Sequence, residues 1–203
     1  MSTQPVSQNN LKPFQKLPLN CTNFEDDTQS PAMRKELAQV VTEMLKYHDA
    51  HPSPSDDPVY KNSRDELVAI KEMMQQTRLV GAGKMLCLVT RHDGKIQGLA
   101  VVSRLHNSLR IDQASAAPWN IVPPAVSEAN SPNPFRGVGW QMVSVALTYC
   151  GVVDLTAATE QSAQSFNKMG FLTREGKSLQ GGDFGVLEGA QAQAFKQKLA
   201  SFG

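Results

Sequence analysis

The apolar residues Met33, Leu37, Val40, Val41, Met44 and Leu45 recur three and four positions apart, the spacing of one face of a helix. Ser30 and Pro31 stand before them as an N-cap and a first-turn proline, and HPSPSDDP (51–58) ends the pattern. Leu67, Ile70 and Met74 mark a second helix. It opens at SRDE, a capping box in which Ser63 and Glu66 satisfy each other's main-chain N–H groups, and it closes at Gly81 and Gly83. The period then changes to short β-rich runs: MLCLVT (85–90), KIQGLAVVSRL (95–105) and LRIDQASA (109–116). HDGK between the first two is a hairpin turn, with Gly94 supplying positive φ. Beyond a proline-rich stretch ending at Phe135, the pattern predicts a helix from Val138 to Cys150 and a strand over VVDLTA (152–157). A helix from near Thr159 to Gly170, short strands near FLTR and FGVLE, and an Ala-rich helix carrying Phe195, Leu199 and Phe202 follow. The order is helices, an antiparallel meander, helix, strand, helix, strands, which is an α/β (α+β) arrangement of helices on a mixed sheet.

Residues 1–28 are polar and punctuated by Pro5, Pro13 and Pro18, so they read as an arm with one short strand near Phe14 to Leu19, and 29–203 as a single domain. Hydrophobic residues at 40% and charged residues at 19% point to a globular chain rather than a disordered or membrane one. Lysine and arginine total 20 against 19 acidic residues, so no global field recruits nucleic acid or an anionic membrane. No apolar run approaches the ~20 residues of a membrane span, and the first ten residues are too polar for a signal peptide, so the cytoplasm is the expected compartment. Cys21, Cys87 and Cys150 lack metal-ligand spacing and read as reduced, packed thiols. His48, His51, His92 and His106 fall at a helix end and in hairpins, where solvated or capping roles are expected, and no metal is expected.

The stretch NPFRGVGWQMVSVAL (133–147) places a glycine loop directly before a helix. A helix N-terminus offers unpaired N–H groups and the positive end of the macrodipole, which suits an anion. Gly137 and Gly139 remove side chains that would hold a phosphate away, and Arg136 adds charge at the rim. From spacing alone a simple strand-to-helix turn is an equal alternative. The loop lacks the Lys-Ser/Thr of a P-loop and the third glycine of a dinucleotide fingerprint, which disfavours ATP and NAD.

Together with ASAAPWN before it and VVDLTAATEQSAQSFNKMGF after it, this loop resembles the GNAT-type N-acyltransferase superfamily over about residues 33–188. The resemblance implies a mostly antiparallel central sheet splayed between its fourth and fifth strands, with acetyl-CoA or another acyl-CoA as co-substrate. Its pantetheine would bond main-chain groups at Ser115 and Ala116 and lie against Phe166, and its diphosphate would cap the helix at Arg136, Gly137, Val138, Gly139 and Trp140. The acceptor would be a small-molecule or protein amine; a homodimer is left open.

Three positions depart from the family's pattern. Pro134 replaces a polar residue of the loop, Thr159 replaces an Asn, and Phe166 stands where many members carry the Tyr that protonates the departing thiolate. A hydroxyl such as Ser162 or Ser165, or water, would have to serve instead. Asp112 is the candidate base, because period-two alternation sets 112, 114 and 116 on one face; the alternative is a strand carboxylate paired with Arg110. Glu128 is a second candidate base. Trp119 and Trp140 are candidates to wall an acceptor pocket, with core packing as the alternative. These readings imply an N-acetyltransferase, with a catalytically inactive CoA-binding sensor or scaffold as the competitor.

Overall fold

The computed structural model describes residues 19–23, 31–51, 58–80, 85–92, 94–121 and 137–201. Its elements are β1 (Leu19–Asn23), α1 (Pro31–Ala50), α2 (Pro58–Val80), β2 (Met85–His92), β3 (Lys95–Arg104) and β4 (Leu109–Ala116). After a 3-10 turn at Pro118–Asn120 come α3 (Val138–Cys150), β5 (Val153–Thr156), α4 (Glu160–Met169), β6 (Phe184–Leu187) and α5 (Gly189–Ala200). The six strands lie in chain order across one sheet. Every neighbouring pair is antiparallel except β4 and β5. That parallel pair needs a crossover, and α3 supplies it. The mixed, mostly antiparallel sheet flanked by helices is the expected fold class.

Side-chain alternation along the strands builds a core on each face. Cys87, Val89, Leu99 and Val101 meet Leu37, Val41 and Met44 of α1 and Leu67 and Ile70 of α2. On the other face Leu88, Ala100, Val102, Leu109 and Ile111 meet Val138, Met142, Val143 and Leu147 of α3, and this core continues to Phe171 and Phe195. Arg91 of β2 clamps α1 through a two-pronged ion pair with Glu36, at 2.5 and 2.7 Å. No helix among the described residues is long and apolar enough to cross a membrane.

Several local expectations hold. Gly94 turns the β2–β3 hairpin at φ 75°, Thr159 caps α4 through a capping box with Ser162, and Gly170 ends it in the left-handed conformation. Others are corrected. The strand in the N-terminal arm is at Leu19–Asn23, paired with β2; positions 14–18 of the expected one lie outside the described residues. FLTR contributes only the bridge Leu172↔Val186. Thr173 N–H donates to Lys177 O across a tight turn, which ends the pairing after one residue. The helix expected to open at Ser63 begins at Pro58, whose fixed φ and missing N–H suit a first turn. Ser63 and Glu66 therefore sit inside α2, where the backbone needs no cap, and their side chains turn to other partners.

Candidate functional site

The pairing of β4 with β5 lasts three residues: Leu109↔Val153, Arg110↔Asp154 and Ile111↔Leu155. Beyond it the strands part. Ala157 donates to Asp183 O at 2.9 Å and accepts from Gly182 N–H at 2.6 Å, so this chain stays with the β6 side and then enters α4. β4 meanwhile stays paired with β3 as far as Ala116. The gap is a cleft of ≈ 510 Å³ whose walls come from β4, the end of β5, α2 and α4.

A β-bulge shapes one wall. Val101 pairs with Gln113 and Val102 with Ile111, which leaves Asp112 as the extra residue. The expected alternation of 112, 114 and 116 on one face is thereby broken. Ala114 and Ala116 pack toward the α3 core, whereas Asp112 accepts from Ser103 Oγ at 2.5 Å and lies 3.6 Å from Arg110 Nε. It still lines the cleft. Burial raises its pKa above the ordinary aspartate value, against the Ser103 hydrogen bond and the Arg110 charge.

The main chain of β4 is also available here. Ala117 N–H donates to Gln97 O at 2.8 Å. In an antiparallel pair alternate residues turn their N–H and C=O toward the partner, so Ser115 faces β3 while Ala114 and Ala116 face the opening. Glu66 of α2 accepts from the Ala114 N–H, and burial nevertheless raises the Glu66 pKa. Its Oε2 is buried with no partner among the described residues.

Helix α2 closes over the cleft at two points. Asn62 Nδ2 donates to Thr159 Oγ1 at 3.4 Å, and the Ser63 and Ser115 hydroxyls meet at 3.0 Å. Behind Ser63 the His48 Nε2 lies 3.4 Å away, with its ring 4.1 Å from that of Tyr60. His48 is 4% exposed, so the solvated or capping role expected for it is corrected: it faces inward between α1 and α2, and burial lowers its pKa to about 4. His51 does bond the helix end, at Tyr47 O, and His106 is exposed.

At the rim, Gly137 is the N-cap of α3 with φ 80° and ψ 10°, and among the described residues no side chain caps the helix. The first intrahelical bond runs from Gln141 N–H to Gly137 O, so the N–H groups of Val138 and Gly139 point out of the helix end. Among the described residues, a Cβ on Gly139 would meet only Met169 Cε, at 3.6 Å. Gly98, opposite Ala116, lets this helix start rest on the sheet beside the cleft, because a Cβ there would lie 2.3 Å from Val138 Cγ1.

The sequence candidates are thus partly gathered. Asp112, Ser115, Ala116, Ser165 and Phe166 line the cleft. Gly137, Val138, Gly139 and Trp140 form the α3 start. Pro134, Arg136 and Glu128 lie outside the described residues. Ser165 is exposed and donates to Gln161 O, and Ser162 donates to Thr159 O. The Phe166 ring contacts Phe171 edge-on at 5.5 Å. Neither tryptophan lines the cleft: Trp140 stacks on Phe195 at 5.1 Å, and Trp119 Nε1 donates to Gln97 Oε1 at 3.0 Å. Sequence reasoning missed Glu66, Asn62 and Ser63 as cleft residues. The one available signal was Pro58, which moves the helix start and frees both members of the supposed capping box. Among the described residues no three His, Cys, Asp or Glu side chains are placed to hold a metal.

No family model and no curated protein matches the chain. Solved structures similar to it include a candidate acetyltransferase of the GNAT family from Desulfovibrio desulfuricans, at 13% identity and TM-score 0.44, covering 84% of this chain and 99% of that one. The PaiA N-acetyltransferase from Thermoplasma acidophilum, solved with coenzyme A, is 12% identical over 84% of this chain and 98% of that one, with TM-score 0.43. A GNAT family acetyltransferase from Brucella melitensis, solved with acetyl-CoA, is 15% identical over 87% and 99%, with TM-score 0.42. Likeness at this level does not establish an activity, and the chemistry below rests on the chain's own residues.

Proposed function

We propose that this chain is an acyl-CoA dependent N-acyltransferase, with acetyl-CoA as donor and an amine as acceptor. The observation that carries the reading is the parting of β4 and β5 after three pairs, with an uncapped helix start at the rim and a carboxylate of raised pKa inside. The residues present fit an acyl-CoA. The main chain at Gly137, Val138, Gly139 and Trp140, with Arg136, would hold its diphosphate; the main chain of Ala116, which faces the opening, would hold its amide arm, whereas Ser115, also expected to do so, turns its main chain to β3, and Phe166 would pack against the arm. When bound, it supplies an activated acyl carbon whose C–S bond breaks as a C–N bond forms. Asp112 accepts the proton that the attacking nitrogen loses, directly or through water, and its raised pKa brings its proton affinity closer to that task. Water would supply the proton that the departing thiolate needs, directly or relayed through the Ser165 hydroxyl, which would take a proton from water as it gives its own. Most of the acceleration comes from holding nitrogen and carbonyl together in a walled cleft. The compartment proposed is the cytoplasm.

A second reading, a CoA-binding sensor or scaffold without catalysis, is favoured by α4 itself. Phe166 carries no hydroxyl, and those of Ser162 and Ser165 are bonded to their own helix. The test is a melting curve with and without acetyl-CoA, followed by a thiol-release assay over a panel of amines. Acetyl-CoA is expected to raise the melting temperature by mass action. Gly139→Val has room to fold and should abolish the rise by filling the phosphate seat. Asp112→Asn should slow transfer while leaving acetyl-CoA affinity unchanged. An unchanged response in Gly139→Val would overturn the loop assignment, and thiol-release rates equal to the parent's in Asp112→Asn would reduce that carboxylate to a structural one.

A further inference from the structure

Arg110 of β4 and Asp154 of β5 are register partners across the parallel pair, and their side chains share the sheet face opposite Leu109, Ile111, Val153 and Leu155, which belong to the α3 core. Each is left one bond short. Arg110 Nε is buried without a hydrogen-bond partner among the described residues, 3.6 Å from Asp112 Oδ1, and its Nη2 donates to Thr156 Oγ1 at a long 3.4 Å. Asp154 is 6% exposed, and its Oδ1 has no partner among the described residues either. The other oxygen of each carboxylate is held by a hydroxyl: Ser103 Oγ donates to Asp112 Oδ2 at 2.5 Å, and Ser108 Oγ to Asp154 Oδ2 at 2.6 Å. One guanidinium therefore serves two carboxylates that are anchored alike, each with Oδ1 left for it.

We propose that Asp154 is a positioning residue for the carboxylate that takes the proton: it shares Arg110 with Asp112, and the guanidinium passes to Asp154 Oδ1 when Asp112 becomes neutral. The exchange rests on the transferase reading for its use, not for its existence. With both carboxylates ionised the cluster holds one negative charge in excess. Once the proton moves from the attacking nitrogen to Asp112 there is none, and Arg110 has an anion to pair with in place of a neutral acid. Only that proton changes its covalent partner. Burial is the main cause of the raised Asp112 pKa, Ser103 and Arg110 oppose it, and the Asp154 charge adds to it. The other described charged groups nearby are Asp65 and Glu66, which line the cleft from α2, and Arg174, which lies with Arg110 over the Phe184 ring.

The test is an NMR titration of the Asp112 carboxyl in the full chain without substrate, its signal assigned by its loss in Asp112→Asn. Asp154→Asn keeps the shape and can still accept from Ser108, and it leaves Arg110 to Asp112 alone, so the Asp112 midpoint should move to lower pH. In Arg110→Gln there is no guanidinium to share, and the same Asp154→Asn change should move the midpoint less far. No movement in the parent background overturns the proposal. Equal movement in both backgrounds overturns it too, because the carboxylates then repel each other without sharing Arg110. If Asp154→Asn does not fold, the reading is taken on Ser108→Ala, which removes the rival donor, strengthens the hold of Asp154 on Arg110 and should move the Asp112 midpoint to higher pH; an unmoved midpoint there overturns the proposal. The acid limb of thiol release from acetyl-CoA over the amine panel should follow the NMR midpoint in each variant. A midpoint that depends on Asp154 through Arg110, with no thiol released or with a limb that stays in place, removes Asp112 as the base and leaves the exchange standing. Thiol release beside a midpoint that ignores Asp154 removes only the exchange.

Discussion

The hydroxyls of Ser63 on α2 and Ser115 on β4 meet 3.0 Å apart in the interior, joined on the far side of Ser63 by His48 Nε2 at 3.4 Å. Ser115 also donates toward Ala116 O at 3.0 Å. Three buried polar side chains from α1, α2 and β4 thus meet immediately behind the cleft, and they fix the distance between its helical wall and its sheet wall. Ser63→Ala should cost about 1–3 kcal/mol, because it removes a partner from two groups that water does not reach. The double change Ser63→Ala with Ser115→Ala should cost less than the sum of the singles. Denaturant unfolding of the four proteins measures this; strictly additive costs would mean that the two hydroxyls do not interact.

Gly98 and Val138 make a steric pair that sets the height of α3 above the sheet. Gly98→Ala places a Cβ 2.3 Å from Val138 Cγ1, and overpacking of this kind costs about 1–3 kcal/mol. Val138→Ala in the same chain should recover most of that loss. The acetyl-CoA response should follow the same order, weakened in the single variant and restored in the double, because the helix start moves with the clash. A Gly98→Ala protein as stable as its parent would count against this packing.

The His48 imidazole titrates near pH 4 in the folded chain, against an ordinary 6.5, chiefly through burial, with Arg64 adding to the shift and Asp49 opposing it. The unfolded chain therefore binds a proton that the folded one refuses, so this contribution is full above the unfolded pKa and is lost as pH falls toward 4. The loss should be roughly 2 kcal/mol between about pH 7 and pH 4.5. Asp112 and Glu66 act the other way: their raised values stabilise the fold below the ordinary carboxylate range, and this is lost as pH rises. Comparing parent with His48→Gln isolates the histidine, whose variant should show the shallower fall on acidification. An imidazole resonance titrating near its ordinary value would refute the burial.

Phe166 lines the cleft with its ring edge on Phe171. The hydroxyl in Phe166→Tyr has the cleft to enter, so the melting temperature should hold, and thiol release should stay level or rise if the chain is a transferase. A drop of about 1–3 kcal/mol, the cost of an unpartnered buried hydroxyl, with no thiol released by either protein, would instead support the sensor or scaffold.

Features that depend on a few consecutive residues were legible in the sequence. Gly137 before α3, the Thr159 cap and Gly170 stop of α4, the Gly94 turn and the β2–β3–β4 meander follow from local backbone preferences and hydrophobic period, which the chain carries wherever it goes. The cleft lining was legible only in part, through the β4 and α4 residues next to those signals. The tertiary structure decided the rest. Asp112 left the face of Ala114 and Ala116 because β3 pairs past it and leaves it in a bulge, a property of the strand pair and not of LRIDQASA alone. His48 became buried because α2 laid Tyr60 and Ser63 over it. Glu66 exchanged a helix cap for the main chain of a strand 48 positions away, because α2 began at Pro58 and β4 had an N–H that β5 no longer reached. Local sequence sets which conformations each segment prefers; which polar group meets which is settled only when distant segments compete for the same hydrogen-bond partners.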